Sequence, residues 1–206
     1  MVDCGADWLG RLEVVAPTAI VLTHAHADHA AGLAHGADCP VHATGETWSL
    51  IDRFPLADRH EVHSRQPFSI GVIGFEAFSV EHSLRAPAVG YRIACARVSV
   101  FYVPDLAVIR ERSEALRGAA LYIGDGATVM RSMVRQRDGG AIGHVPIFKQ
   151  LQWCREEGVK RAIFTHCGSE IVRGDARVIS THIRKLGLEE GVEASVADDG
   201  LTLALS

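Results

Sequence analysis

Apolar and polar positions alternate with a period of two over many short stretches of this chain, and with a helical period over a few longer ones. The strand pattern covers residues 18 to 23, 40 to 43, 67 to 71, 73 to 81, 90 to 95, 98 to 103, 119 to 124, 161 to 165, 193 to 197 and 201 to 205. The helical pattern covers 27 to 34, 45 to 52, a short piece near 106 to 116, 144 to 157 and 175 to 187. In 144 to 157, Val145, Phe148, Leu151 and Trp153 or Cys154 recur at helical spacing while Lys149, Gln152, Arg155 and Glu156 face water. His144 would open this helix after Gly143, Gly158 would cap its end, and Trp153 is expected in the core. The runs 90 to 95 and 98 to 103, joined by Ala96 and Arg97, predict an antiparallel pair, while later strand-helix-strand units allow a mixed sheet. The expected fold class is α/β (α+β), two sheets with helices outside.

Composition narrows this picture. A chain of 206 residues and 22.2 kDa, without a low-complexity linker or internal repeat, reads as one domain over 1 to 206. No apolar run is long enough to span a bilayer, and the N-terminus has no basic stretch followed by a long apolar one, so a cytoplasmic location is expected. Five widely spaced cysteines, Cys4, Cys39, Cys95, Cys154 and Cys167, with no Cys-x-x-Cys pair, read as thiols rather than a disulfide framework. The net charge of -4 argues against nucleic acid as a partner, although Arg131, Arg135 and Arg137 make a local basic run.

The chemistry concentrates in Thr23-His24-Ala25-His26-Ala27-Asp28-His29. Imidazoles and carboxylates are good ligands for zinc, manganese or iron. If a strand ends at Thr23, alternation keeps His24 and His26 on one side, where they can chelate one ion. Asp28 and His29 fall where a helix starts and aim at a neighbouring point, suiting a second ion. Further donors stand at the ends of predicted strands: His82 after Phe75 to Glu81, Asp105 after Val98 to Val103 and Pro104, His166 after Arg161 to Thr165. A carboxylate such as Asp105 can bridge two cations.

With His24-x-His26-x-Asp28-His29 followed by His82, Asp105 and His166, the chain resembles the metallo-β-lactamase-fold hydrolases, over nearly its whole length from Asp3-Cys4-Gly5 to Asp199-Gly200-Leu201. The resemblance implies a four-layered αββα sandwich and a binuclear metal-dependent hydrolase. It places one divalent ion on His24, His26 and His82 and another on Asp28, His29 and His166, with Asp105 shared and a hydroxide between them. Asp28 is also a catalytic candidate, and Asp3 would orient the ligating imidazoles from behind. The donor set does not name the metal; zinc is the first expectation, with manganese and iron as alternatives.

Asp105 stands where true β-lactam hydrolases commonly place Cys, and Gly143-His144 resembles the branch containing ribonuclease Z and cyclic-phosphate phosphodiesterases. In that branch the matching His contacts phosphate or protonates the leaving oxygen, which makes His144 the second catalytic candidate. The chain has nothing like the basic, glycine-rich arm with which ribonuclease Z grips tRNA, so a small phosphodiester is the expected substrate, with Ser83, Arg85 and Arg131 near its phosphate. Thioester or lactone hydrolysis on the same two-metal site, or a catalytically weak shortened relative, are the alternatives. Family members usually have several strands ahead of the Asp-Cys-Gly element, which here starts at residue 3. An N-terminally shortened sandwich with an open sheet edge predicts a homodimer.

Overall fold

The computed structural model describes residues 1 to 205. In chain order the strands are β1 (Ile20–Val21), β2 (Val41–Thr44), β3 (Arg59–Val62), β4 (Phe68–Ile70), β5 (Ile73–Glu81), β6 (Ala88–Cys95), β7 (Val98–Tyr102), β8 (Val108–Ile109), β9 (Leu121–Asp125), β10 (Arg135–Arg137), β11 (Gly140–Ile142), β12 (Arg161–Thr165) and β13 (Glu193–Val196). The helices are α1 (Leu12–Val15), α2 (Ala27–Ala30), α3 (Gly45–Leu50), α4 (Arg112–Leu116), α5 (Ile147–Glu156), α6 (Ser169–Val172) and α7 (Ala176–Glu190).

Two sheets face each other. The smaller has the order β1-β2-β3 and is parallel throughout, and the larger has the order β13-β12-β9-β7-β6-β5-β4, with β8 paired to β5. Side-chain alternation sorts three apolar clusters between four layers. Ile20, Leu22, Val41 and Ala43 point outward from the small sheet onto Ala30, Leu33 and Ile51, in and beside α2 and α3. Val21 and Val62 point inward and meet Phe75, Ala77, Val89 and Tyr91 of the large sheet. The large sheet's other face, through Phe78, Phe101, Tyr122 and Phe164, packs on Leu116 of α4, Leu151 and Trp153 of α5, and Ile183 of α7. The result is the αββα sandwich.

Strand direction then positions the chemistry. β7, β9 and β12 run parallel, and β6 is antiparallel to both β5 and β7, so β5 runs with them. The C-terminal ends of β5, β7, β9 and β12 gather at one edge of the sandwich.

Several sequence expectations change here. Only Ile20–Val21 of the 18 to 23 run joins a ladder. The 27 to 34 helix is α2 followed by a separate 3-10 turn, Ala31–Leu33. The 106 to 116 piece splits into β8 and α4, because Val108 and Ile109 pair with β5. Residues 201 to 205 form no strand; no neighbouring strand pairs with them, and Leu201 stays about half exposed. The helix expected from 144 starts at Ile147 behind Pro146, which leaves His144 outside it. Strands β3 and β10 fell outside the periodic runs because they are short and mostly polar, and β11 because its three residues are too few to show a period. Asp138 and Gly139, both at positive φ, close β10 onto β11 as a two-residue hairpin turn.

Candidate metal centre

The loop after β1 carries the first donors. Leu22 still donates its backbone N–H to His42, and the chain then continues extended to His26, which precedes α2 with φ -63 and ψ 153. His24 and His26 therefore converge in a loop and not, as strand alternation suggested, along one face of a strand. His24 Nε2 lies 3.0 Å from His26 Nδ1, and His82 Nε2 lies 3.3 Å from the same atom.

The remote nitrogens of these rings are already committed. The Thr23 hydroxyl, 2.9 and 3.0 Å from the Asp3 carboxylate oxygens, donates to Asp3 and accepts from His24 Nδ1 at 3.0 Å. His82 Nδ1 donates to the Gly143 carbonyl at 3.3 Å. With both Nδ1 protonated, both Nε2 atoms present lone pairs. Those two lone pairs meet His26 Nδ1, which has at most one proton to share. Three such nitrogens at these separations suit a cation with ligand bonds of about 2.0 to 2.1 Å far better than they suit one another.

The second cluster is Asp28, His29 and His166, whose ligand atoms lie within 4.8 Å of one another. His29 Nδ1 donates to Asp3 at 2.9 Å, so Asp3 orients ligands of both clusters, His24 through Thr23 and His29 directly. His166 Nε2 lies 3.1 Å from Asp28 Oδ2. Asp3 and His166 both sit at positive φ, 59° and 51°, a conformation that costs a non-glycine residue free energy and recurs at functional sites. Gly5 is needed because a Cβ there would strike the Asp28 carbonyl oxygen.

Asp105 lies between the clusters. Its Oδ2 is 2.7 Å from His29 Nε2 and 3.7 Å from His24 Nε2, and its Oδ1 is 3.2 Å from His166 Nδ1 and 4.0 Å from His82 Nε2. Both carboxylate oxygens are buried without a properly directed hydrogen-bond donor, and so are His29 Nε2 and His166 Nδ1. Buried polar atoms left this way cost free energy. Their convergence on shared points fits divalent cations.

Charge follows the same layout. Burial and the neighbouring His29 push the His24 imidazole down to about 2, against the pull of Asp105. Burial also lowers His82. For His29, burial is outweighed by Asp105 and Asp3 at its two nitrogens, which raise it to about 10. Burial works against ionising Asp105, yet His29, His166 and His82 hold its carboxyl well below the usual range. The partly exposed Asp28 is lowered too, by His166 against the effect of burial.

His144 stands beside both clusters, its ring stacked on His166 at 5.8 Å and edge-on to His82 at 5.0 Å. Its Nδ1 is 2.8 Å from Asp125 Oδ2 and 3.4 Å from Asp105 Oδ1. Burial opposes its protonation, but the hydrogen bond and charge of Asp125 raise its pKa. Asp125 is the functional residue the sequence reading missed. It is fully buried at the end of β9 and also accepts from the backbone N–H of Leu106 and Ala127. Gln150 of α5 clamps it: the amide donates to the Asp125 and Val145 carbonyls and accepts from Asp125 N and Tyr122 Oη. Asp125 obeys the strand-end rule that singled out Asp105, but the predicted strand stopped one residue short of it.

The proposed substrate contacts fare unevenly. Ser83 Oγ accepts from the backbone of Arg85 and Ala86 and shapes their turn, and Arg85 is exposed. Arg131 lines a cleft of about 410 Å³ that His144 also lines.

An αββα sandwich with two donor triads sharing a carboxylate at its edge is a metallohydrolase fold. The chain belongs to the metallo-β-lactamase superfamily: it matches the family described as Beta-lactamase superfamily domain over residues 1–167. Membership implies divalent metal binding. Among solved structures, the metallo-β-lactamase fold protein YhfI from Bacillus subtilis is similar at a TM-score of 0.75 and 18% identity, covering 97% of this chain and 84% of its own. A diphosphatase from the PhnP family is similar at 0.69 and 18%, covering 100% and 79%. Human tRNase Z, short form, is similar at 0.68 and 16%, covering 100% and 87%. At these identities the likeness is one of fold. No curated protein sequence matches the chain.

Proposed function

We propose that the chain is a binuclear metal-dependent phosphodiesterase acting on a small phosphodiester, cyclic or linear. His24, His26 and His82 would hold one ion, Asp28, His29 and His166 the other, and Asp105 both. When bound, the ions would lower the pKa of an attacking water and polarise the phosphoryl oxygen. Asp3 and Thr23 engage Nδ1 of His29 and His24, so that in the neutral ring Nε2 is the lone-pair atom that would face an ion.

The observation that carries the phosphodiester reading is His144 braced on buried Asp125. With Nδ1 committed to Asp125, Nε2 has no partner among the described residues and is left for substrate. Against burial, the hydrogen bond and charge of Asp125 raise the pKa of His144, which favours the protonated form that a general acid needs. As the water oxygen bonds to phosphorus and the ester P–O bond breaks, His144 Nε2 gives its proton to the departing oxygen. The diphosphatase and tRNase Z named among the fold neighbours agree with phosphate-ester chemistry. A further neighbour is an isothiocyanate hydrolase from Delia radicum gut bacteria, so isothiocyanates join thioesters and lactones as competing substrates.

The test is hydrolysis of bis-p-nitrophenyl phosphate beside a thioester, a lactone and an isothiocyanate. Wild type should prefer the phosphodiester, and His144→Ala should lose about 10²- to 10⁴-fold in turnover, the range of a lost general acid, while keeping its metal. Full phosphodiesterase turnover in His144→Ala would move the assignment to the thioester, lactone or isothiocyanate.

We also propose a cytoplasmic homodimer. Beyond the isolated Val2 to Val21 bridge, the outer edge of β1 has no strand partner among the described residues. A monomer in sedimentation at micromolar concentration rules the dimer out.

A further inference from the structure

The cleft beside His144 has its own chemistry. Its volume of about 410 Å³ lies within the range of small-molecule sites. Met133, Val134 and Ile142 give it an apolar wall, Arg131 and Arg135 give it two cations, and no carboxylate lines it. Both arginines are exposed, and among the described residues neither guanidinium forms an ion pair or a hydrogen bond, whereas Arg137 lies 3.6 Å from Asp138 and Arg110 lies 3.2 Å from Glu81. In a chain of net charge -4, two unpaired cations on one small cavity are a local arrangement and not a general excess.

The walls are fixed to the centre. Met133 N donates to the His144 carbonyl at 3.0 Å, and Gly143 N donates to the His82 carbonyl at 2.8 Å. Glu81, the last residue of β5 before His82, accepts from Ala141 N of β11 at 2.6 Å. Gly143 has a φ of +99°, and a Cβ there would strike the Met133 carbonyl oxygen. The cleft and the metal ligand His82 thus share one frame.

We infer that this cleft selects phosphodiesters in which one esterified arm has an apolar body and ends in a second anion. The body lies on Met133, Val134 and Ile142, and the anion is held between Arg131 and Arg135. This specificity rests on the phosphodiesterase reading above. Guanidinium groups suit such an anion because each presents a planar fork of donors to paired oxygens.

Two esters that differ only in that anion test it: thymidine 5′-(p-nitrophenyl phosphate) and the same compound carrying a 3′-phosphate. Product formation is followed by chromatography on metal-loaded enzyme. The 3′-phosphorylated ester should have a kcat/KM about tenfold or more above the other, the scale of a charge-assisted contact. In the Arg131→Ala, Arg135→Ala double variant the ratio should fall to near unity. Binding measures the cleft without turnover. Thymidine 3′,5′-bisphosphate should bind metal-loaded wild type more tightly than thymidine 5′-monophosphate by a similar factor, and the double variant should lose that difference. Equal kcat/KM and equal binding for both members of each pair overturn the inference and leave the phosphodiesterase reading standing. No turnover of either ester, with the binding preference intact, overturns that reading and keeps the cleft as an anion site. A preference that survives in the double variant overturns the assignment to these arginines.

Discussion

Asp105 is 3% exposed, and its two oxygens face four imidazoles of the two clusters without one well-directed hydrogen bond. A buried carboxylate so placed gains more from cations than from any protein partner. Asp105→Ala should therefore release at least one ion per chain and nearly all hydrolytic activity, as metal analysis and turnover together will show. Asp3 acts one step further out, through Thr23 and His29. Asp3→Asn should weaken metal affinity about 10- to 100-fold, the usual cost of losing a ligand-orienting partner, in competition with a chromogenic chelator. Unchanged affinity there would mean that the loop alone orients His24 and His29. The ligand types were legible because three histidines and an aspartate fall within His24 to His29. The bracing of His144 was not, because the predicted strand stopped one residue short of Asp125 and nothing local marks Gln150 as its clamp.

At the scale of elements, α5 and β9 are coupled by Gln150, whose amide meets four partners with no exposure to solvent. Gln150→Leu should cost about 1 to 3 kcal/mol in chemical denaturation, because the Asp125 and Tyr122 groups lose buried partners. It should also lower phosphodiester turnover while leaving the metal content intact. A second element-scale effect is pH-dependent. His42 of β2 stacks between His60 of β3 and Phe68 of β4, and burial together with His60 lowers its pKa, against Asp58. A histidine with a folded pKa below its unfolded value of about 6.5 contributes stability that is lost as pH falls below 6.5. His42→Phe should keep the stack and flatten the fall in Tm between pH 8 and pH 5, and an unchanged fall would remove His42 from the account. Long apolar strands such as Ile73–Glu81 and Arg161–Thr165 were read from the sequence with their observed bounds. Strand β3, with three exposed residues of four, and the exposed β10 escaped, because edge and hairpin strands need no apolar alternation. The Asp138-Gly139 turn was the available signal for the hairpin.

Over the whole molecule, the two-sheet architecture explains why donors more than a hundred residues apart, such as His24 and His166, share one edge. β5, β7, β9 and β12 all end there, and the loop after β1 meets them from the smaller sheet. Metal binding at that edge ties both sheets together, so it should raise the unfolding temperature. Stabilisation through preferential binding to the folded state grows with free metal, by about 2.7 kcal/mol at a hundredfold excess over Kd. The central claim is that the edge holds two ions through one shared carboxylate, and the measurement closest to it is metal stoichiometry. Protein stripped with chelator, reloaded with zinc and dialysed should carry two ions per chain by plasma emission analysis, with Asp105→Ala carrying one or none. A saturated wild type that holds a single ion, or none, contradicts the account.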